Sequence, residues 1–326
     1  MLSKNNARIV FMGTPDFAVP SLEALVEHGW NVVCVVTQPD RPKGRKKELT
    51  PPPVKETAER LGLTVFQPEK CRHPESVETL RSYRPDLIVT AAYGQLLPKD
   101  LLELPPAGCV NVHASLLPKY RGGAPIHHAI IRGETKTGIT LMYMDEGLDT
   151  GDMIRQAEVE ISDTDTAGSL YDKLKIAGAK LLIDSLEEIL NGQVERIPQD
   201  HSQATYAPNI KSEDERIDWN RPARDVYNQI RGLNPWPVAY TEYRGARLKI
   251  WASALPETES IHKDVNAQNV APGTVVNTDD GVIEVAVKDG TIQLTEVQPA
   301  GKRKMTAADF IRGGQIRKGD ILGDDR

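Results

Sequence analysis

From Arg8 to about Asn191 the chain alternates short apolar runs with amphipathic stretches, and this rhythm restricts its fold more than any other feature. The apolar runs are Ile9 to Met12, Val32 to Thr37, Leu87 to Ala91, Cys109 to His113, Ile139 to Met144 and Met153 to Val159. Between them, Ser21 to His28, Val54 to Leu61, Ser76 to Tyr83 and Ile126 to Arg132 carry the spacing of a helix face. Strands buried on both faces and joined by helices make a doubly wound parallel sheet, so the fold class is α/β. The longest helical pattern, Thr166 to Leu190, stops at Asn191-Gly192 and closes a first domain at residues 1–191.

Residues 192–208 show neither periodicity and are punctuated by proline, which reads as a linker. Beyond it, in 209–326, the rhythm changes to short alternating strands: Val238 to Tyr243, Arg247 to Ala252, Gly273 to Asn277, Val282 to Val287 and Thr291 to Val297. Turn pairs such as Asp280-Gly281 and Asp289-Gly290 part them. Such spacing predicts a small Greek-key β-barrel, an architecture that often binds nucleic acid.

At 326 residues with a net charge of -6, the chain is not held to a polyanion by bulk charge, so any RNA-binding face must be local. Cys34, Cys71 and Cys109 form no CxxC pair, which argues against a disulfide framework or a zinc knuckle and fits a reducing compartment. No HExxH or EF-hand spacing occurs, and no metal is expected. The apolar stretch at Ile9 to Met12 is too short for a signal segment, so the expected location is cytoplasmic.

Ligands of open α/β sheets sit beyond the carboxyl ends of the strands. At one such end, in Val110-Asn111-Val112-His113, period-two alternation projects Asn111 and His113 from the same side and pairs an amide donor with an imidazole. The pair suits an oxyanion, or alternatively two polar groups that cap backbone within a buried strand. Asp149, between Gly147 and Gly151, could be held in an unusual turn or belong to an acidic, solvated hairpin. Gly13-Thr14-Pro15-Asp16 lacks the glycines of a dinucleotide-binding turn, which disfavours an NAD-dependent enzyme. Arg41, Lys43, Arg45, Lys46 and Lys47 place five cations in seven positions, either a phosphate grip or a solvated loop.

The stretch NVHASLLPKYRGGAPI at 111–126, followed by DEGLDTGDMI at 145–154, resembles the signature of tetrahydrofolate-dependent formyltransferases. The flanking segments FMGTPDFAVPSLEAL, TQPDRPKGRKK, ATYAPNIKSEDERIDW and LNPWPVAY are similar to the branch of that family acting on methionyl-tRNA, over nearly the whole chain. The resemblance implies a Rossmann-like catalytic domain, a linker and an OB-like tRNA-binding domain. It implies transfer of a formyl group from 10-formyltetrahydrofolate to the α-amine of initiator methionyl-tRNA, by a monomer. By the same resemblance Asn111, His113 and Asp149 are catalytic, and Ser115, Leu116, Leu117 and Pro118 line the folate site. The basic run would enter the acceptor end of tRNA, Arg45 foremost. Met142 stands where the purine-pathway relatives have a second histidine.

Two competing readings stay open at this point. A hydrolase could release formate from the same folate, and an RNA-binding factor could be built on a retired enzyme domain. The basic loop and second domain weigh against the first, and the intact trio weighs against the second.

Overall fold

The computed structural model describes residues 2–4, 6–44, 47–256 and 270–323. It divides into two compact units, the first made of Met1–Pro125, Lys136–Glu160 and Tyr171–Pro208, the second of Ile126–Thr135, Ile161–Leu170 and Asn209–Arg326.

In chain order the elements of the first half are β1 (Ile9–Gly13), α1 (Val19–Glu27), β2 (Val32–Val36), β3 (Arg41–Lys43), β4 (Glu48–Thr50), α2 (Pro53–Arg60), β5 (Val65–Phe66), α3 (Pro74–Ser82), β6 (Leu87–Ala91), α4 (Lys99–Leu102), β7 (Cys109–His113), α5 (Pro125–Ile131), β8 (Lys136–Tyr143), β9 (Met153–Glu160) and α6 (Ala167–Leu190). Helices α2, α3 and α5 each begin on a proline, a residue or two ahead of the periodic pattern. Proline's fixed φ and missing N–H suit the first helical position, where the donor has no partner inside the helix.

The main sheet has the order β5-β2-β1-β6-β7-β8-β9. Strands β5 to β7 in that order are parallel, as the sequence predicts, whereas β8 is antiparallel to β7 and β9 to β8. A short turn joins β8 to β9, too short for the crossover helix that a parallel pair requires. The strand order reverses between β1 and β6, and those strand ends are the topological switch point. Val10, Met12, Cys34, Val36, Leu80, Ile88 and Cys109 belong to one cluster of this unit's core. Each fully buried aliphatic side chain there contributes about 1.5–3 kcal/mol of transfer free energy. Helix α6 comes close to β7 because residue 178 is glycine: a Cβ there would stand 2.8 Å from Val112 Cγ1. That contact seats the strand carrying Asn111 and His113.

Arg41–Lys43, at the start of the basic run, pair antiparallel with Glu48–Thr50, Arg41 opposite Thr50 and Pro42 opposite Leu49. Residues 192–208, expected as a linker, fall within the first unit. Main-chain bonds hold them there: Ile197 exchanges both bonds with Met153, and the 205–207 segment pairs with residues 121 and 124.

The second unit is built from α7 (Ser212–Glu215), α8 (Ala223–Gly232), β10 (Tyr240–Tyr243), β11 (Ala246–Ala254), β12 (Val275–Asn277), β13 (Ile283–Val287), β14 (Gly290–Pro299), β15 (Met305–Thr306) and α9 (Ala307–Arg312). Its antiparallel sheet runs β10-β11-β14-β13-β12, with β15 on β14. The segment after α9 links the two edges, for Leu322 N–H donates to the Gly273 carbonyl and Gly323 N–H to that of Glu242. Trp219, Val226, Ile250, Val285, Leu294 and Phe310 fill the interior.

Candidate active site

Strand β7 presents Asn111 and His113 on one side, and the buried Val112 between them faces the opposite way. Thr90 on β6 donates its hydroxyl to Asn111 Oδ1 at 2.8 Å. With its oxygen occupied, the amide turns its NH₂ outward as a donor. His113 is 5% exposed, and its Nε2 donates to the Tyr120 carbonyl at 3.1 Å. The ring's other nitrogen, Nδ1, therefore faces the Asp149 carboxylate, 3.7 Å from Oδ1. That is ion-pair distance, longer than a hydrogen bond, so Nδ1 keeps a direction open to a third group.

Asp149 has φ 53°, in the left-handed region where an aspartate is tolerated better than most residues. Its Oδ2 accepts the Gly122 N–H at 2.8 Å. Gly122 itself has φ +115°, and a Cβ there would lie 2.8 Å from the Ala207 carbonyl oxygen, so the position admits only glycine without rearrangement. The trio predicted from sequence is thus brought together at one end of β7.

Of the residues expected to line a folate site, Ser115 and Leu117 are buried, while Leu116 and Pro118 are partly exposed. The Ser115 hydroxyl bonds to the Lys119 carbonyl. Thr140 on β8 accepts from Leu117 N–H and donates to the Ser115 carbonyl, and Gln156 on β9 bonds both Thr140 and the Leu117 carbonyl. These bonds fix the turn that follows β7.

Of the five basic positions, Arg41 pairs with Glu69 at 3.2 Å on the surface, Lys43 ends β3, and Lys47 is exposed with φ 51°. Arg45 and Lys46 lie outside the described residues. Gly13 allows the tight strand-to-helix turn, since a Cβ there would stand 2.6 Å from that of Ala18. At the switch point a cavity of about 540 Å³ is lined by Thr14, Gln38, Lys70, Arg72, Tyr93 and Gln95, among others. Its volume is within the range of small-molecule sites. Cys109, on the same strand as Asn111 and His113, is a poor nucleophile because burial pushes its thiol up to about 12. No cluster of three or more His, Cys, Asp or Glu able to hold a metal ion occurs among the described residues.

Sequence reasoning missed Thr90, the Tyr120 carbonyl, the Gly122 N–H, Arg121 and Gln199. Arg121-Gly122 lies inside the quoted signature and could have been singled out, whereas Gln199 sits in an aperiodic polar stretch that carries no pattern.

Residues 7–186 match the family model described as formyl transferase, and residues 209–315 match that of the formyl transferase C-terminal domain. A methionyl-tRNA formyltransferase from Bacillus velezensis is 58% identical, and one from Bacillus subtilis is 57% identical, each over 97% of this chain and 98% of the relative. Among solved structures, the sugar 3N-formyltransferase WlaRD, crystallised with dTDP and 5-N-formyl-THF, aligns with a TM-score of 0.66 at 19% identity. That alignment covers 91% of this chain and 99% of the other, a likeness of fold.

Proposed function

The chain belongs to the formyl transferase family, and from that premise we propose that it transfers a formyl group from 10-formyltetrahydrofolate to the α-amine of initiator methionyl-tRNA. The near full-length likeness to the Bacillus enzymes carries this reading. The product, N-formylmethionyl-tRNA, serves translation initiation.

The geometry supplies what the reaction needs. An α-amine has a pKa of about 7.7–8.0, so a useful fraction is neutral and nucleophilic at pH 7 without a strong base. As the amine attacks the formyl carbon, negative charge grows on the formyl oxygen. The Asn111 NH₂ and a proton on His113 Nδ1 stabilise that charge by hydrogen bonding, a pre-set arrangement that costs little reorganisation. Asp149 takes part in removing the amine's proton, directly or through water. Collapse of the oxyanion then breaks the bond between the formyl carbon and N10, and tetrahydrofolate leaves with the proton given up by the amine, so no acyl-enzyme is required. In the turn beside them, Leu116 and Pro118 offer apolar surface to the folate, while Ser115 and Leu117 keep the turn in shape.

Arg41, Lys43, Arg45, Lys46 and Lys47 grip the acceptor end of the tRNA, which accounts for a dense cationic run in a chain of net charge -6. The first unit carries the transfer, and the second, OB-like unit adds affinity for the RNA. No described helix is long and apolar enough to cross a membrane. Three buried, unpaired cysteines suit the reducing cytoplasm, where the protein works as a monomer.

The test is to incubate the protein with 10-formyltetrahydrofolate and, separately, methionyl-tRNA, glycinamide ribonucleotide or no acceptor. Formylation of methionyl-tRNA alone is the expected result. Consumption of the folate in buffer at the same rate would instead make the protein a hydrolase.

A further inference from the structure

Arg121 is the largest fully buried side chain among the described residues, 2% exposed. A guanidinium in the interior is costly unless its donors are engaged. Here Nε and Nη2 both donate to Gln199 Oε1, at 3.1 and 2.7 Å, and Nη2 also donates to His201 Nδ1 at 3.0 Å. On its other side the Gln199 amide donates through Nε2 to two main-chain carbonyls, those of Asp149 and Gly151, each at 2.8 Å. Gln199 therefore spends its whole hydrogen-bonding capacity, two donors and two acceptor sites. Its orientation is unambiguous, since a guanidinium can only donate and carbonyls can only accept.

The two carbonyls are those that flank the turn presenting Asp149, whose own backbone is in the left-handed region. The same stretch of chain reaches Asp149 a second time, because Gly122, next to Arg121, donates its N–H to the carboxylate. Residues 120 to 124 are in turn tied to 205–207: Tyr120 N–H donates to Thr205 Oγ1, Arg121 N–H to the Thr205 carbonyl, and Ala207 N–H to that of Arg121. The segment that reads as a linker thus braces the Asp149 turn from beneath.

We propose that Gln199 is a positioning residue for formyl transfer: clamped by Arg121, its amide holds the Asp149–Gly151 turn so that the Asp149 carboxylate is aimed at His113. The inference rests on the role given to Asp149 above. Gln199 bonds Arg121 and the main chain of the turn rather than His113, so its effect passes through that main chain. Displacement of a reacting group by about 1 Å can cost about a hundredfold in rate, so a brace of this kind shows in turnover rather than in binding.

Gln199→Glu separates the two halves of the clamp. The carboxylate keeps Arg121 paired, but it sets oxygen against the carbonyl oxygens of Asp149 and Gly151 and so releases the turn. The experiment measures kcat and KM for 10-formyltetrahydrofolate and methionyl-tRNA in the full chain, with circular dichroism and Tm as controls for folding. The expected result is a native fold, a kcat at least about tenfold lower and both KM values within about threefold of the parent. A kcat within about twofold of the parent, or a loss confined to KM, would overturn the proposal. Should Gln199→Glu fail to fold, Arg121→Lys is read in the same way, because it keeps the charge and one donor but loses the fork that fixes the amide. An unchanged kcat in that variant would overturn the proposal equally. A parent protein that leaves methionyl-tRNA unformylated contradicts the functional reading and this inference with it. An active parent beside an unaffected Gln199→Glu contradicts this inference alone.

Discussion

Asp149 reaches His113 across 3.7 Å with one carboxylate oxygen while the other holds the Gly122 N–H at 2.8 Å. The second bond decides how the first is used. With Oδ2 tied to the main chain, the carboxylate cannot swing closer to the ring without giving up that bond, and the proposed mechanism uses the direction left open at Nδ1 for the formyl oxygen.

Asp149→Asn keeps an oxygen for Gly122 but sets toward Nδ1 an amide NH₂, a donor that cannot take the amine's proton. We expect kcat to fall by about 10²–10³-fold, the scale of losing a proton-transfer or charge-stabilising group. Folate affinity, followed by fluorescence titration, should stay near that of the parent. Near-parental turnover in a folded Asp149→Asn protein would remove the carboxylate from the mechanism.

The cationic run makes a different kind of prediction. Neutralising Lys43, Lys46 and Lys47 together should flatten the log–log dependence of kcat/KM for methionyl-tRNA on salt, by about 0.7–0.9 for each phosphate that the variant no longer neutralises. Arg45→Ala should weaken methionyl-tRNA use while folate binding holds, since a planar, multidonor group reads phosphates or base edges. A triple variant with the parental salt slope would leave RNA affinity to the second unit.

His127 gives the second unit a pH signature. Burial holds its imidazole below the usual histidine value, and the hydrogen bond to the Trp236 carbonyl at 3.2 Å only partly offsets this. The unfolded chain thus binds a proton at a higher pH than the folded one. Its contribution to stability is fully present above the unfolded pKa, about 6.5, and is lost as pH falls below it. In urea unfolding at pH 7.5 and at pH 5.5, His127→Gln should narrow the difference in stability between the two conditions. A difference equal to the parent's would show that His127 does not carry it.

How much of this was legible in the sequence depends on whether the signal is local. Alternating runs and period-two spacing are local, so the α/β domain, the antiparallel second unit and the shared side of Asn111 and His113 could be read directly. The antiparallel pairing of β8 with β9 was not, because a buried apolar run looks the same in parallel and antiparallel pairs. Only the short, helix-free connection between Tyr143 and Met153 distinguishes them. Gln199 was hidden for a related reason. Its meaning lies in bonds to Arg121 and Asp149, 78 and 50 positions away, and nothing in its own neighbourhood signals them. Ser115 shows the reverse, for its bond to the Lys119 carbonyl, four residues on, is local.

The central claim, that this chain moves a formyl group to methionyl-tRNA through the pair on β7, is tested most directly by single-turnover transfer. Enzyme in excess is mixed with methionyl-tRNA and isotopically labelled 10-formyltetrahydrofolate, and label on the α-amine is followed for the parent and for His113→Ala. The account predicts rapid labelling by the parent and a rate at least about a hundredfold lower in the folded variant. Parental rates in His113→Ala, or no label on methionyl-tRNA from the parent, would contradict it.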